Sequence, residues 1–254
     1  MEEVSLEREL QESGAGTALA DRFTGSVLVV GLGALGCPAA AVLADSGIAT
    51  LTLLDPDRVE VSNLHRQTLY EQSDIGRPKV DAARERLSRR ATTTIEAVSE
   101  ALDDSNAAGL IAAHDFVIDA TDSPRAKFLV NDTAVALSVP FSYAGASRTG
   151  GQTMAVAPGR SACLRCVFPQ EDDFARPGAC SELGILGPVG GVIGALQARQ
   201  ALASPTARPA GIMFVYEVRG SRWQRISFSR RSTCSACGAP SRTQETRRPQ
   251  PCLS

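Results

Sequence analysis

The chain has 254 residues, of which 43% are hydrophobic and 21% charged, enough to bury the core of one large domain or two small ones. A net charge of -2 and an aromatic content of 5% argue against a general nucleic-acid binder or a base-stacking platform. No apolar run reaches the roughly 18 residues of a membrane span, and the acidic start Met1-Glu2-Glu3-Val4 lacks the basic and apolar plan of a signal peptide. These features predict a cytoplasmic protein with no membrane partner. In that compartment seven cysteines point to metal binding or catalysis rather than to a disulfide framework.

Residues 1–25 form a polar N-terminal segment in which Glu7-Arg8-Glu9-Leu10 predicts a short helix. An apolar run, Val27-Leu28-Val29-Val30, then leads into a glycine turn, Gly31-Leu32-Gly33-Ala34-Leu35-Gly36. A small-residue helix is expected over 34–46 and a second apolar strand over 49–54, ending on Asp55. Strand, turn, helix, strand and acid in this order make a nucleotide-binding βαβ unit, although the glycine spacing alone is a weak signal. Gly31 permits the tight turn, Gly33 lets backbone approach a phosphate, and Gly36 lets helix and strand pack closely. The free N–H groups and the positive dipole end of the helix suit an anion. Asp55 reads as a surface acid at a strand tip, able to accept hydrogen bonds from a ribose hydroxyl.

A polar connection, 56–67, leaves that strand at the end where ligands sit in open α/β sheets. Helices are then predicted over 78–90, 105–113 and 124–137, and strands over 92–98 and 115–120. Pro78 suits a first helical position, and Ser123 can cap the helix that begins at Pro124. Alternation of this kind means a Rossmann-like, doubly wound, mostly parallel sheet. The pattern then changes. Strands at 140–145 and 151–157, an apolar helix at 184–202 and a hairpin of 212–218 with 223–228 continue the sheet with antiparallel strands. The fold class is therefore α/β, a single domain over 26–238 with a nucleotide-binding half, 26–140, and a second half, 141–238. Residues 239–254 are rich in arginine and proline and predict a disordered tail.

Cys163-Leu164-Arg165-Cys166 and Cys234-Ser235-Ala236-Cys237 are two C-x-x-C pairs. Such pairs can complete one closed tetrahedral zinc site. The gap between them is long, so two independent redox or buried pairs stay open as an alternative. Asn63, Arg66 and Gln67 follow the ribose acid, and Lys79 starts the next helix. Arg66 and Lys79 at the rim of a phosphate turn would neutralise a triphosphate, whereas Lys79 taken alone reads as part of a solvated basic face. Asp122 stands at the carboxyl end of a strand, a magnesium ligand beside nucleotide phosphates or merely a helix-cap aspartate. Cys180 precedes a helix that can lower its pKa; the alternative is an inert, half-buried thiol. Cys37 reads as a packing residue, and His65, Glu71 and His114 as surface or loop residues.

Taken together, the glycine turn, Leu53-Leu54-Asp55-Pro56-Asp57, Ser62-Asn63-Leu64-His65-Arg66-Gln67, Ile75-Gly76-Arg77-Pro78-Lys79, Asp119-Ala120-Thr121-Asp122 and the paired C-x-x-C resemble the ThiF/MoeB family. Gly184-Ile185-Leu186-Gly187-Pro188-Val189-Gly190-Gly191-Val192-Ile193-Gly194 looks like the family's as well, so the match covers 27–237. These enzymes are bacterial relatives of the ubiquitin-activating enzymes and adenylylate the C-terminal glycine of a ubiquitin-like sulfur carrier. The resemblance implies that Gly31, Gly33, Gly36 and Asp55 hold ATP and that Asn63, Arg66 and Lys79 bind the triphosphate. It implies that Asp122 binds Mg2+, that the four cysteines bind one structural Zn2+, and that Cys180 joins later thiol or persulfide chemistry. It also implies a homodimer, a carrier ending in Gly-Gly, and a separate sulfur donor such as a cysteine desulfurase, since no rhodanese-like extension is present. Members commonly carry an Arg-Tyr-x-Arg-Gln-like segment whose arginine reaches the partner subunit's site; here only Arg8 stands in for it. Two other readings share the same βαβ unit: a nicotinamide- or flavin-dependent oxidoreductase, and a non-catalytic zinc-containing scaffold that binds a partner.

Overall fold

A strand buried on both faces needs apolar side chains at every position, and Ser26–Val30 (β1) supplies them from Val27 onward. The computed structural model describes residues 23–89, 91–170, 184–203 and 210–238. Around β1 the chain builds Gly36–Ala44 (α1), Thr50–Leu54 (β2), Lys79–Ser88 (α2), Thr94–Val98 (β3), Ala107–Ala112 (α3) and Phe116–Asp119 (β4). There follow Pro124–Ala136 (α4), Phe141–Ala146 (β5), Gly150–Val156 (β6), Leu164–Val167 (α5), Gly187–Leu202 (α6), Ile212–Glu217 (β7) and Arg222–Ser227 (β8).

The eight described strands form one sheet in the order β3-β2-β1-β4-β5-β6-β7-β8. The pairs β3–β2, β2–β1, β1–β4 and β4–β5 are parallel, and β6, β7 and β8 continue antiparallel. The chain winds outward from β1 through β2 to β3, then returns to place β4 on the other side of β1. That reversal opens a crevice beyond the carboxyl ends of β1 and β4, where open α/β sheets bind ligands. One apolar cluster gathers Val27, Val29, Leu43, Leu51, Phe116 and Ile193 on the α1 and α6 face. A second gathers Leu28, Val117, Phe128, Phe141, Met154 and the four paired cysteines on the other.

The predicted elements within the described residues all form, with most ends one to three residues inside the expected bounds, where helices and strands fray; the short helix expected at 7–10 lies outside the described residues. The last long helix begins at Gly187 rather than Gly184, because Gly184 adopts a left-handed φ of 69°. Ser123 caps α4 by accepting from the Ala126 amide at 3.5 Å. Residues 1–25 up to Arg22 and the tail from 239 lie outside the described residues, as does Arg8. No described helix is long and apolar enough to cross a membrane.

The crevice depends on two close approaches. Gly31 takes φ 92°, and a Cβ there would lie 2.9 Å from the Ala120 carbonyl oxygen, so the loops after β1 and β4 touch. At Gly36 a Cβ would fall 1.9 Å from the Gly31 carbonyl oxygen. Backbone cannot swing aside as a side chain does. Gly36→Ala is therefore expected to destabilise the protein by about 1–3 kcal/mol, the usual range for overpacking. A urea titration showing an unchanged midpoint would contradict this account of the turn.

Candidate nucleotide crevice and cysteine cluster

Leu32 is the pinned residue of the glycine turn. Its amide donates to Asp55 Oδ2 at 2.6 Å, and its carbonyl accepts from the Tyr70 hydroxyl at 3.1 Å and the Cys37 thiol at 3.2 Å. Burial pushes the Cys37 thiol up to about 12, which leaves it neutral and makes it the packing residue expected. Burial raises the Tyr70 phenol as well, so it stays a donor. Next to this pinned residue, Gly33 faces open space: a Cβ there would meet only Gln67 Nε2, at 3.9 Å. The turn thus holds one residue rigid and leaves the neighbouring backbone free for a ligand.

Asp55 is not the surface acid that its place at a strand tip suggests. It is 4% exposed, and its Oδ1 accepts from the Asp57 amide at 2.8 Å. Burial raises its pKa above the ordinary carboxylate value, against the opposing pull of Lys79 and of the two amides. Lys79 is equally unlike a solvated basic face. It is 6% exposed at the first position of α2, with Nζ 2.7 Å from Asp57 Oδ2 and 3.8 Å from Asp55 Oδ1. Asp55, Asp57 and Lys79 therefore act as one charge group at the crevice edge.

Asn63 closes a short 3-10 turn, Val61–Asn63, and is buried, its Nδ2 donating to Ser62 Oγ at 3.2 Å. Arg66 is half-buried and donates from Nη1 to the Ser62 carbonyl at 2.7 Å. The start of α6 abuts it: a Cβ on Gly187 would lie 3.9 Å from Arg66 Cα. Asp122 is exposed, in the turn between β4 and α4. Gln67, to which its sequence position assigns no role, is 4% exposed, and its Oε1 has no hydrogen-bond partner among the described residues. An open glycine backbone fits a phosphate, and the unsatisfied amide oxygen beside it can accept from a ligand hydroxyl or amino group.

His65 and Glu71 are exposed, as expected. His114 lies in a loop, as expected, but is half-buried, with Nδ1 2.7 Å from the Leu110 carbonyl and Nε2 2.7 Å from Thr52 Oγ1. Those partners lie in α3 and β2, which loop-like sequence around His114 could not reveal. Cys180 lies outside the described residues.

The two C-x-x-C pairs meet. All four sulfurs lie within 4.8 Å of one another and all four residues are buried. Cys163 Sγ is 3.6 Å from Cys234 Sγ, and Cys166 Sγ is 3.4 Å from Cys237 Sγ. Tetrahedral zinc with Zn–S bonds of about 2.3 Å needs sulfurs roughly 3.8 Å apart, close to the two distances above and within the 4.8 Å that bounds the set. Burial pushes the Cys163 thiol up; at Cys234 burial also raises the pKa, but the amides of Cys237 and Ala236 together with the Cys163 and Cys166 thiols bring it down to about 7. Packed thiols ionise together only around a cation. The Arg231 amide donates to Cys166 Sγ at 3.4 Å. Arg165 forks onto Asp132 of α4, with contacts of 2.7, 3.0 and 2.6 Å.

The sequence profile described as the ThiF family matches residues 8–237. The chain belongs to the ThiF family. Among curated relatives, the sulfur carrier protein ThiS adenylyltransferase of Escherichia coli is 38% identical over 216 residues, covering 84% of this chain and 85% of that protein. The adenylyltransferase and sulfurtransferase uba4 of Neosartorya fischeri is 40% identical over 230 residues, covering 84% of this chain. The chain spans 45% of that protein's length. Escherichia coli MccB solved with ATP superposes at a TM-score of 0.74 and 21% identity, covering 87% of this chain and 69% of that one. At that identity the likeness concerns the fold alone.

Two predictions follow from the geometry. Protein purified without chelator should hold about one zinc per chain. Cys237→Ser should release it and lower the melting temperature, since structural zinc contributes on the order of 10 kcal/mol to small zinc modules. Metal analysis that finds none would remove the assignment. For Asp55 the raised pKa sets the sign. The buried carboxyl favours the folded state while protonated, and that advantage fades as pH rises through the raised value. In urea titrations across the acid range, wild type should therefore lose stability relative to Asp55→Asn as pH climbs, with a constant difference at higher pH.

Proposed function

We propose that this ThiF-family chain adenylylates the C-terminal glycine of a ubiquitin-like sulfur carrier ending in Gly-Gly and releases pyrophosphate. The observation that carries the reading is the alignment along 85% of the Escherichia coli ThiS adenylyltransferase. The open backbone at Gly33 supports it from the geometry, and the buried, unsatisfied Gln67 Oε1 beside it can accept from a hydroxyl or amino group of the nucleotide.

In this reading the carrier carboxylate oxygen attacks the α-phosphorus of ATP. A C–O–P linkage forms, and the bond to pyrophosphate breaks. A carboxylate is already ionised at neutral pH, so no general base is needed. Each Asp55 oxygen carries one backbone hydrogen bond and keeps a second acceptor position, which a ribose hydroxyl can use. The glycine turn takes the phosphates, with Gly31 and Gly36 shaping it and Gly33 exposed to them. Asn63, Arg66 and Lys79 meet the growing negative charge; Lys79 turns toward it from Asp57, whose side chain is 64% exposed. Mg2+ at Asp122 would neutralise phosphate charge. The four-cysteine site, with every position taken by sulfur, is structural in this scheme. Cys180 serves the later sulfur step, with sulfur supplied by a separate donor such as a cysteine desulfurase. A cytoplasmic homodimer is the working form.

The test is carrier-dependent ATP–pyrophosphate exchange. Arg66→Ala should lower the rate about 100- to 1,000-fold with a smaller change in ATP affinity, because donors to developing charge act mainly on the transition state. A carrier without its terminal glycine should support no exchange. If the cognate carrier binds and mass spectrometry finds neither acyl-adenylate nor AMP, the reading fails; NADH binding tighter than ATP would favour an oxidoreductase.

A further inference from the structure

Two charged residues stand buried beneath the turn that carries Asp122. Lys127, in the second turn of α4, is 5% exposed. Its ammonium donates to the Thr121 carbonyl at 2.6 Å and to the Ala144 carbonyl at 2.6 Å. It lies 3.5 Å from Asp119 Oδ1 and 5.3 Å from the Tyr143 ring centroid. Asp119 is fully buried at the end of β4, and its Oδ1 accepts from the Thr121 amide at 3.1 Å and the Thr121 hydroxyl at 2.7 Å. Gln197 of α6 donates to the Asp119 carbonyl at 2.8 Å. Thr121 is thereby held at its amide, its hydroxyl and its carbonyl.

Lysine is among the residues least often found fully buried, because its charge is costly to desolvate. A methionine would fill much of the same space without that cost, so packing alone does not account for Lys127. What the ammonium adds is a pair of short, charge-assisted bonds. One of them holds the carbonyl of the planar Thr121–Asp122 peptide and so orients the backbone leading into Asp122. The Asp122 side chain itself forms no hydrogen bond or ion pair among the described residues. The ammonium also offsets the Asp119 charge, leaving Asp122 as the uncompensated carboxylate of this turn.

We infer that Lys127 is a positioning residue: it fixes the Thr121–Asp122 peptide so that the Asp122 carboxylate is preplaced for the divalent cation that accompanies the nucleotide. The inference rests on the reading of Asp122 as the magnesium ligand, and it requires no contact between Lys127 and nucleotide or metal. Residues that orient a metal ligand typically change metal affinity by about 10- to 100-fold when removed.

The experiment measures Mn2+ affinity of the enzyme–ATP complex by electron paramagnetic resonance, and ATP affinity by calorimetry with Mg2+ and with EDTA. Lys127→Met should weaken Mn2+ binding about 10- to 100-fold and leave ATP affinity in EDTA unchanged. The double variant Asp119→Asn/Lys127→Met removes both buried charges, and it should show the same loss should the single variant fail to fold. Asp122→Ala is measured alongside. If Asp122→Ala weakens Mn2+ binding and a folded Lys127 variant does not, the positioning role is overturned while the Asp122 reading stands. If Asp122→Ala leaves Mn2+ binding unchanged, the Asp122 reading fails and the inference with it. Equal loss of ATP affinity with and without Mg2+ in the Lys127 variants would make the lysine a general support of the crevice, which also overturns the proposal.

Discussion

The buried hydrogen bond from the Leu32 amide to the Asp55 carboxylate, 2.6 Å long, is the constraint on which the crevice depends. It joins the turn after β1 to the tip of β2, while Tyr70 and Cys37 hold the Leu32 carbonyl from the other side. A hydrogen bond to a charged group contributes about 1.5–3 kcal/mol, and without it a buried amide would be left unsatisfied. The turn is consequently shaped before any ligand arrives, and little ordering is left to be done at binding. The same bond explains why a carboxylate persists where burial disfavours its charge. Asp55 serves the turn as well as any ribose.

Around that bond the two faces of the sheet make different contributions. On one face α6 lies directly over the glycine turn. A Cβ at Gly190 would sit 2.5 Å from the Ala34 carbonyl oxygen, and one at Gly194 would sit 2.3 Å from that of Leu35. Backbone packed this closely confines the turn from above. On the other face, the cysteine cluster joins segments 71 residues apart, a separation whose closure would otherwise be opposed by chain entropy. The cluster is tied in turn to α4: Leu164 donates to Asn131 Oδ1 at 2.8 Å, and Arg165 grips Asp132. Because α4 starts at Pro124, the four-cysteine cluster on one face has a rigid connection to the turn that carries Asp122.

Charge is handled by pairing inside the crevice wall. Lys79 with Asp55, and Lys127 with Asp119, are buried groups of opposite sign near the carboxyl ends of the strands, and the exposed Asp57 adds a second carboxylate to Lys79. Removing one member of such a group leaves an uncompensated charge in a poorly solvated place, which is why both members persist. Arg66 and Asp122 remain the more exposed charges, one of each sign, at the same end of the sheet.

The element types and the chemical inventory were legible in the chain itself. Strands buried on both faces read as unbroken apolar runs, the spacing of Gly31, Gly33 and Gly36 points to a tight strand-to-helix turn, and C-x-x-C spacing brings two thiols together. These signals are local, set by side-chain size, periodicity and backbone freedom within a few residues. Burial and partnership are not local. Asp55 read as a surface acid and Lys79 as a basic rim residue because nothing nearby in sequence shows that α2 brings the lysine back, 22 residues on, against Asp57. Gln67 and Asp119 looked like members of motifs, and nothing in the sequence singled out Lys127. That Cys163 meets Cys234 likewise required the fold. The sequence by itself determined which elements form and which reactive groups exist. Tertiary structure decided which of those groups lose water and which meet, because desolvation and hydrogen bonding depend on neighbours that the chain order does not record.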